Sequence, residues 1–247
     1  MPESFALVRL LNALFMGIEA KAFQSIGLLP AEATERAVKV NQALGLELLV
    51  VGGLIAFFVL VRMTLSVEKP NPAQQISEMI YEGIGGLAEQ IIGHGYQRFQ
   101  AFVTCIFLFV LLNNLLGLIP GIAAPTTSPW VPLGLALPTF LYYNYQGVRA
   151  QGVIGYAKHF CGPLWWMAWL LLPIELVSHL ARIMSLTIRL YANMFASDMV
   201  TLGFFSLVPI GIPAIFLGLH VFVSLIQAFV FMLLSMIYLS LAVTHEH

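Results

Sequence analysis

Residues 164–243 contain only four residues with a formal charge, Glu175, Arg182, Arg189 and Asp198. The whole chain is 60% hydrophobic and 9% charged, whereas about a quarter of the residues in an ordinary soluble domain are charged. Several apolar runs reach the roughly 20 residues that a helix needs to cross a bilayer. The sequence therefore predicts an all-α integral membrane protein.

The hydropathy pattern predicts about five membrane crossings and one amphipathic surface helix. The crossings are expected at about 46–65, 101–122, 133–145, 174–207 and 214–243. The surface helix is expected over 76–91, where isoleucine and leucine recur at helical spacing and three glutamates lie away from them. Residues 1–44 carry mixed charges and are assigned no role. Residues 45–247 are predicted to form a single polytopic membrane domain.

The last two predicted helices are longer than a bilayer is thick. At 1.5 Å per residue, 174–207 would extend about 50 Å and 214–243 about 45 Å. The hydrocarbon core is only about 30 Å thick, so upright helices would push apolar side chains into water. These lengths predict a hairpin tilted by roughly 45–50°, against an average of about 20° for membrane helices. Such a tilt indicates a partner surface that the hairpin packs against.

Basic residues in the loops indicate the orientation. If the crossings alternate, the same side of the membrane carries Arg62, Lys69, Arg98, Arg149 and Lys158. The connections at 121–132 and 208–213 contain no lysine or arginine. By the positive-inside rule the basic side is cytoplasmic. We therefore expect the N-terminus outside, the C-terminus in the cytoplasm, and a bacterial inner membrane as the location.

Polar side chains form one stripe on the helix that follows residue 174. At 100° per residue, five of them fall within about 80° of one another. They are Glu175, His179, Arg182, Arg189 and Asn193. A charge in the bilayer core costs several kcal/mol and nearly always faces protein or water. Asp198 points away from this stripe, so Arg189 has no carboxylate at helical spacing in its own helix.

The last helix carries a second polar face, and the hairpin brings the two together. That face consists of His220, Ser224, Gln227 and Ser235. If the hairpin folds about Pro209, Asp198 and His220 lie at one depth and Gln227 lies nearer the level of Arg189. An aspartate–histidine pair can accept and pass a proton near neutral pH. Arginine stays protonated, so Arg189 would instead separate two polar paths and favour the ionised form of another protein's carboxylate.

Three segments resemble subunit a of rotary F-type ATP synthases. They are "SLTIRLYANMFASD", "HVFVSLIQAFVFMLLSMIYLSLA", and "NNLLGLIPG" followed by "APTT". In that family an arginine faces the acidic residues of the turning c-ring, and it matches Arg189. Other functional positions of the family match Glu175, Asn193, Asp198, His220 and Gln227. The chain departs from the family pattern at Ala192 and Ser197, which are often glycine, and at Asp198, which is more often glutamate.

The resemblance implies a stationary, non-catalytic subunit that forms two aqueous half-channels against the c-ring, with ATP chemistry on partner subunits. Protons would pass Asp198 and His220 on one side of Arg189, and Glu175 and His179 on the other. The implied partners are the c-ring, the peripheral-stalk subunit b, protons and the lipid bilayer. The helix at 76–91 would be a surface anchor or, alternatively, a docking site for a stalk subunit.

Other interpretations remain open at this stage. The chain could be a stand-alone ion-coupled transporter, although the inverted repeats typical of that class are not visible, a scaffold, or a Na⁺-translocating version of the same subunit. Arg189 could form a structural ion pair, Arg182 could reach the membrane surface, Gln227 could join helices, and Asp198 could form a structural hydrogen bond with His220. No cofactor, metal or nucleic-acid site is predicted. Cys105 and Cys161 are expected to be thiols.

Overall fold

The structure is a computed structural model that describes residues 42–93, 95–119, 124–161, 168–207 and 212–243. The regular structure in these ranges is helical, which confirms the all-α fold. The helices are α1 (Gln42–Met63), α2 (Pro72–Ile92), α3 (Gln97–Leu116), α4 (Trp130–Cys161), α5 (Ala168–Leu207) and α6 (Ile212–Val243), with a 3₁₀ turn at Pro125–Thr127. The N-terminal segment and the hairpin turn at 208–213 lie largely outside the described residues.

Four of the described helices are long and apolar enough to cross a membrane. The qualifying stretches are 45–63 in α1, 97–116 in α3, 169–204 in α5 and 215–243 in α6. The chain is therefore a multi-pass membrane protein, as predicted. The remaining predicted crossing, at 133–145, forms part of α4, which does not qualify because Asn144, Gln146 and Arg149 make it more polar. Whether α4 crosses the membrane stays a prediction.

The predicted bounds of two helices were wrong. The expected short span at 133–145 is part of the 32-residue helix α4, whose backbone leaves helical geometry only at Gly152, with φ of 76°. Helix α5 begins at Ala168 rather than at 174 and contains Pro173. In α4 the polar residues after Tyr143 do not end the helix, and in α5 Pro173, the sixth residue, removes one backbone hydrogen bond without ending it.

Helix α2 is the predicted amphipathic helix, and its ends explain its length. Pro72 occupies the first turn, where its missing N–H has no helical partner to lose. The helix stops at Gly93, which adopts φ of 78° and donates its N–H to the Glu89 carbonyl at 3.0 Å. On the inner face of α2, Ile84 and Ala88 are buried against α3 and α6. The apolar face of α2 therefore packs on protein along part of its length.

The core of the structure lies between α3, α4, α5 and α6. Helix α3 packs most extensively on α6, and α4 packs on α5. On α5 the buried core residues Leu186, Leu190 and Met194 recur every four positions and meet Ala228 and Phe231 of α6. In the most apolar stretch of α5 only 17% is buried inside the protein, against 39% in that of α6. Helix α5 therefore keeps a broad face free of contact with the described part of its own chain.

Candidate ion-translocation site

Asp198 and His220 lie together between α5 and α6, as their equal distance from the turn predicts. The Asp198 Oδ1 atom is 3.5 Å from His220 Nδ1, and the Ala124 N–H donates to Asp198 Oδ2 at 3.4 Å. The ring of His220 is 1% exposed. Its Nδ1 atom has a closer partner that the sequence did not reveal, the Ser197 hydroxyl at 2.9 Å. Asp198 and His220 are thus neighbours in one polar cluster.

The backbone fixes which nitrogen of His220 carries hydrogen in the neutral ring. Its Nε2 atom lies 3.2 Å from the Asn114 carbonyl oxygen, which can only accept a hydrogen bond. Nε2 therefore carries the hydrogen, and Nδ1 accepts from the Ser197 hydroxyl. When the ring takes up a second proton, Nδ1 becomes a donor that faces the Asp198 carboxylate. A protonated Nδ1 could then donate to the Ser197 hydroxyl at 2.9 Å or to the Asp198 carboxylate at 3.5 Å.

Asn114 of α3 belongs to this cluster, and Asn113 precedes it in the same helix. The Asn114 side-chain oxygen accepts a hydrogen bond from the Thr126 hydroxyl at 2.8 Å, and Asn113 donates to the Phe109 carbonyl at 2.8 Å. Both asparagines are fully buried. Among the described residues, Asn114 Nδ2 and Asn113 Oδ1 have no hydrogen-bond partner. Adjacent asparagines in an apolar helix are themselves a signal of function, although the sequence analysis assigned them no role.

Gly117 gives His220 room to reach Asn114. A Cβ atom at this position would lie 2.9 Å from the Ala124 Cβ and 3.2 Å from two ring atoms of His220. Overpacking of this kind costs about 1–3 kcal/mol. Because the resemblance to subunit a implies proton transport, we expect Gly117→Ala to displace His220 and to slow that transport several-fold, measured as ATP-driven acidification of vesicles that contain the complete complex.

The matched control for this prediction is Gly218→Ala, on the same helix as His220. A Cβ atom at Gly218 meets no atom of the described chain within 4 Å, so this variant is expected to keep the wild-type rate in the same assay. Equal rates for the two alanine variants would show that the space beside Gly117 does not matter.

Nearer the middle of the hairpin, Asn193 and Gln227 join α5 to α6. The Asn193 side chain donates to Gln227 Oε1 at 2.9 Å, and Gln227 is buried. Arg189 lies one turn away from Asn193 and is exposed, and its side chain donates a hydrogen bond to the Ser185 hydroxyl at 3.3 Å. In the described part of the chain, no carboxylate lies within 4.0 Å of the guanidinium group. The structure thus agrees with the prediction that Arg189 has no acid partner in its own helix.

The residues around Arg189 on this face are small. Ser185, Ala192 and Ala196 are exposed and lie within two turns of the guanidinium-bearing position, together with Asn193. Small residues on a membrane helix allow the backbone of another helix to approach closely. This strip is called the small-residue face below.

A second polar cluster lies further toward the start of α5. His179 is 6% exposed and shares a hydrogen bond of 2.8 Å between its Nδ1 atom and the Tyr143 hydroxyl of α4. The Glu175 carboxylate lies 3.4 Å from His179 Nε2 and 3.8 Å from the Arg182 guanidinium. Arg182 also stacks above the Tyr238 ring, 5.3 Å from its centre. Arg182 therefore has contacts inside the protein, and its expected reach to the membrane surface stays a prediction.

The predicted single stripe is divided in the structure. His179 turns into the core against α4, whereas Arg189 and Asn193 face outward. An arc of about 80° on a helix is wide enough to span the boundary between a packed and an open face. Tyr143 and Tyr238 were missed because they belong to other helices, and periodicity within α5 carries no signal for them.

Comparison with known proteins identifies the family. A family model described as ATP synthase A chain matches residues 46–240. ATP synthase subunit a of Koribacter versatilis is 51% identical over 208 residues, covering 84% of this chain and 85% of that protein. The proteins of the same name from Solibacter usitatus and Sulfurimonas denitrificans are 48% and 40% identical, covering 82% and 76% of this chain and 87% and 85% of their own lengths.

The chain belongs to the ATP synthase subunit a family. It is accordingly a bacterial membrane protein and a membrane subunit of an ATP synthase complex. The region that matches the subunit a model contains every residue predicted for ion translocation. Both polar clusters and Arg189 therefore lie in the part of the chain that defines subunit a.

Proposed function

We propose that this chain is the stationary proton-channel subunit of its ATP synthase and that Arg189 faces carboxylates of a rotating c-ring. One observation carries the proposal. A permanent cation is exposed on an apolar helix, and no carboxylate of the described chain lies within 4.0 Å of it. A lone charge in the bilayer interior costs several kcal/mol. An acidic partner that comes to this face would remove most of that cost.

Protons reach the ring through the cluster of Asp198, His220, Ser197 and Asn114. Buried polar atoms without a protein partner are normally bonded to ordered water, so the unpaired amide nitrogen of Asn114 supports a wet path on this side. The Asp198 carboxylate and the His220 ring, 3.5 Å apart, supply two groups that can exchange a proton. This cluster forms the half-channel on the outer side of the membrane.

Protons leave through the cluster of Glu175, His179 and Tyr143. Contacts of 3.4 Å and 2.8 Å connect these groups into a line between α5 and α4. Arg189 lies between the two clusters and stays protonated, so it blocks direct passage while its charge drives each arriving ring carboxylate to release its proton. Asn193 faces the ring beside Arg189, held by its bond to Gln227.

Coupling follows from this separation. A proton crosses only when a ring carboxylate carries it round, and the membrane potential contributes about 2.3 kcal/mol per charge per 100 mV. This chain is then non-catalytic, and ATP chemistry belongs to partner subunits. We place it in the bacterial inner membrane as a single polytopic domain over residues 45–247, with the N-terminus outside, the C-terminus in the cytoplasm, and subunit b of the peripheral stalk as a second partner.

A cysteine cross-link tests whether the small-residue face meets the ring. With Cys105 and Cys161 replaced by alanine, Ala192→Cys is expected to form a disulfide with a cysteine placed beside the carboxylate of the ring helix, because Ala192 is exposed next to Arg189. The measurement is the cross-linked product in the assembled complex after mild oxidation.

Met194→Cys serves as the control because Met194 is fully buried in the core. It is expected to give no product with the ring cysteine. Cross-linking at Met194 with none at Ala192 would place the ring elsewhere and would overturn the proposed orientation of α5.

A further inference from the structure

A basic cavity lies where α3 begins, α4 nears its kink and α6 ends. It measures about 510 Å³, and its described lining consists of Arg98, Phe99, Gln146, Arg149, Ala150 and Val243. The volume falls in the range of about 300–1,000 Å³ that is usual for small-molecule sites. The cavity is separate from both polar clusters of the ion path, and the proposed function makes no use of it.

Within the described ranges, the two arginines of this cavity have no acidic partner. Both are exposed, and neither forms an ion pair with a residue that the structure describes. The described lining contains no aspartate or glutamate. Two guanidinium groups that line one cavity repel each other unless an anion lies between them. The electrostatics therefore favour an anionic ligand.

We propose that this cavity binds the phosphodiester headgroup of an anionic phospholipid. Arginine matches phosphate oxygens with paired hydrogen bonds, which makes it the preferred side chain for phosphate recognition. Basic pockets between membrane helices on the cytoplasmic side are known to hold lipid headgroups. Arg98 and Arg149 are the residues that bind the phosphodiester.

The position of the cavity favours a lipid over a free phosphate ion. Phe99 and Val243 give it an apolar wall beside the two arginines, and such a wall suits the glycerol and upper acyl region of a lipid. Arg98 lies in the first turn of the apolar helix α3. The two arginines also carry part of the basic pattern that predicted the cytoplasmic side of the membrane. A headgroup at this level would leave its acyl chains in the bilayer.

The test uses the complete complex in phosphatidylcholine vesicles that contain a photoreactive phosphatidylglycerol. Illumination is expected to label this chain at peptides around Arg98 and Arg149. The double variant R98Q/R149Q is expected to lose about tenfold or more of that labelling, because charged hydrogen bonds to phosphate are lost. R98K/R149K, which keeps the charge, is expected to retain an intermediate level.

The control is R62Q/K69Q, which removes two exposed basic residues outside the cavity and is expected to label like the wild type. Equal labelling by photoreactive phosphatidylcholine, unchanged labelling of R98Q/R149Q, or equal loss in the control would overturn the proposal. Displacement of the label by inorganic phosphate would also overturn it, because it would indicate a site for the free ion. A cross-link from this cavity to an acidic segment of another subunit, instead of to the lipid, would overturn it as well. None of these outcomes bears on Arg189.

Discussion

Replacing Arg189 with alanine is expected to abolish ATP-driven proton pumping by the reconstituted complex. An opposite charge nearby favours the ionised form of a carboxylate by about 10- to 1,000-fold, so a ring carboxylate that arrives without this cation would keep its proton. The guanidinium group is exposed and, among the residues that the structure describes, makes one side-chain hydrogen bond of 3.3 Å, to Ser185. Its loss therefore leaves the packing of α5 intact. The measurement is vesicle acidification on addition of ATP.

Two controls separate lost coupling from lost assembly. The amount of ring that copurifies with the Arg189→Ala chain is expected to match the wild type. Ser185→Ala removes the hydrogen-bond partner of Arg189 and leaves its charge, so this variant is expected to keep most of its pumping. Wild-type pumping by Arg189→Ala would remove Arg189 from the mechanism.

Replacing Asp198 with asparagine is expected to slow coupled proton transport by at least about tenfold. Positioned proton-transfer groups contribute roughly 100- to 10,000-fold to reaction rates. The amide of asparagine neither takes up nor releases a proton near neutral pH. The amide has nearly the shape of the carboxylate and can still accept the hydrogen bond from the Ala124 N–H. Transport is therefore expected to fall without loss of stability, measured as the pumping rate and the thermal midpoint of the complex.

Asp198→Glu is the matched variant, because it keeps the acid and lengthens the side chain by one methylene group. It is expected to transport faster than Asp198→Asn. If both variants transported at the wild-type rate, Asp198 would be excluded from the proton path. Its role would then be structural, through the hydrogen bond from the Ala124 N–H.

The membrane fold could be predicted because hydropathy acts on long segments. The apolar runs of α5 and α6 identified both helices. Asp198 and His220 lie equally far from the turn in sequence, which predicted that they would be neighbours. The length of α4 was not predictable in the same way. Its polar residues after Tyr143 look like the end of a span, yet Asn144 donates to the Phe140 carbonyl at 2.7 Å and the helix continues.

The partners of the site residues were harder to predict because they belong to different helices. Periodicity places side chains on one helix, but it does not say which neighbouring helix they meet. His179 proved to be buried against Tyr143, and His220 reaches a backbone carbonyl of Asn114, which lies 106 positions earlier in the chain. Arg189, by contrast, has no such partner in the described chain, so its isolation could be predicted from α5 alone.

The most direct test of Arg189 as the barrier between two proton paths compares two fluxes in the same Arg189→Ala vesicles. One is pumping driven by ATP, and the other is passive proton flow driven by an imposed potential. With the cation removed, we expect passive flow above the wild-type level and no pumping, since nothing then separates the cluster at Asp198 from the cluster at Glu175. A proton-tight membrane with pumping at the wild-type rate would contradict this role.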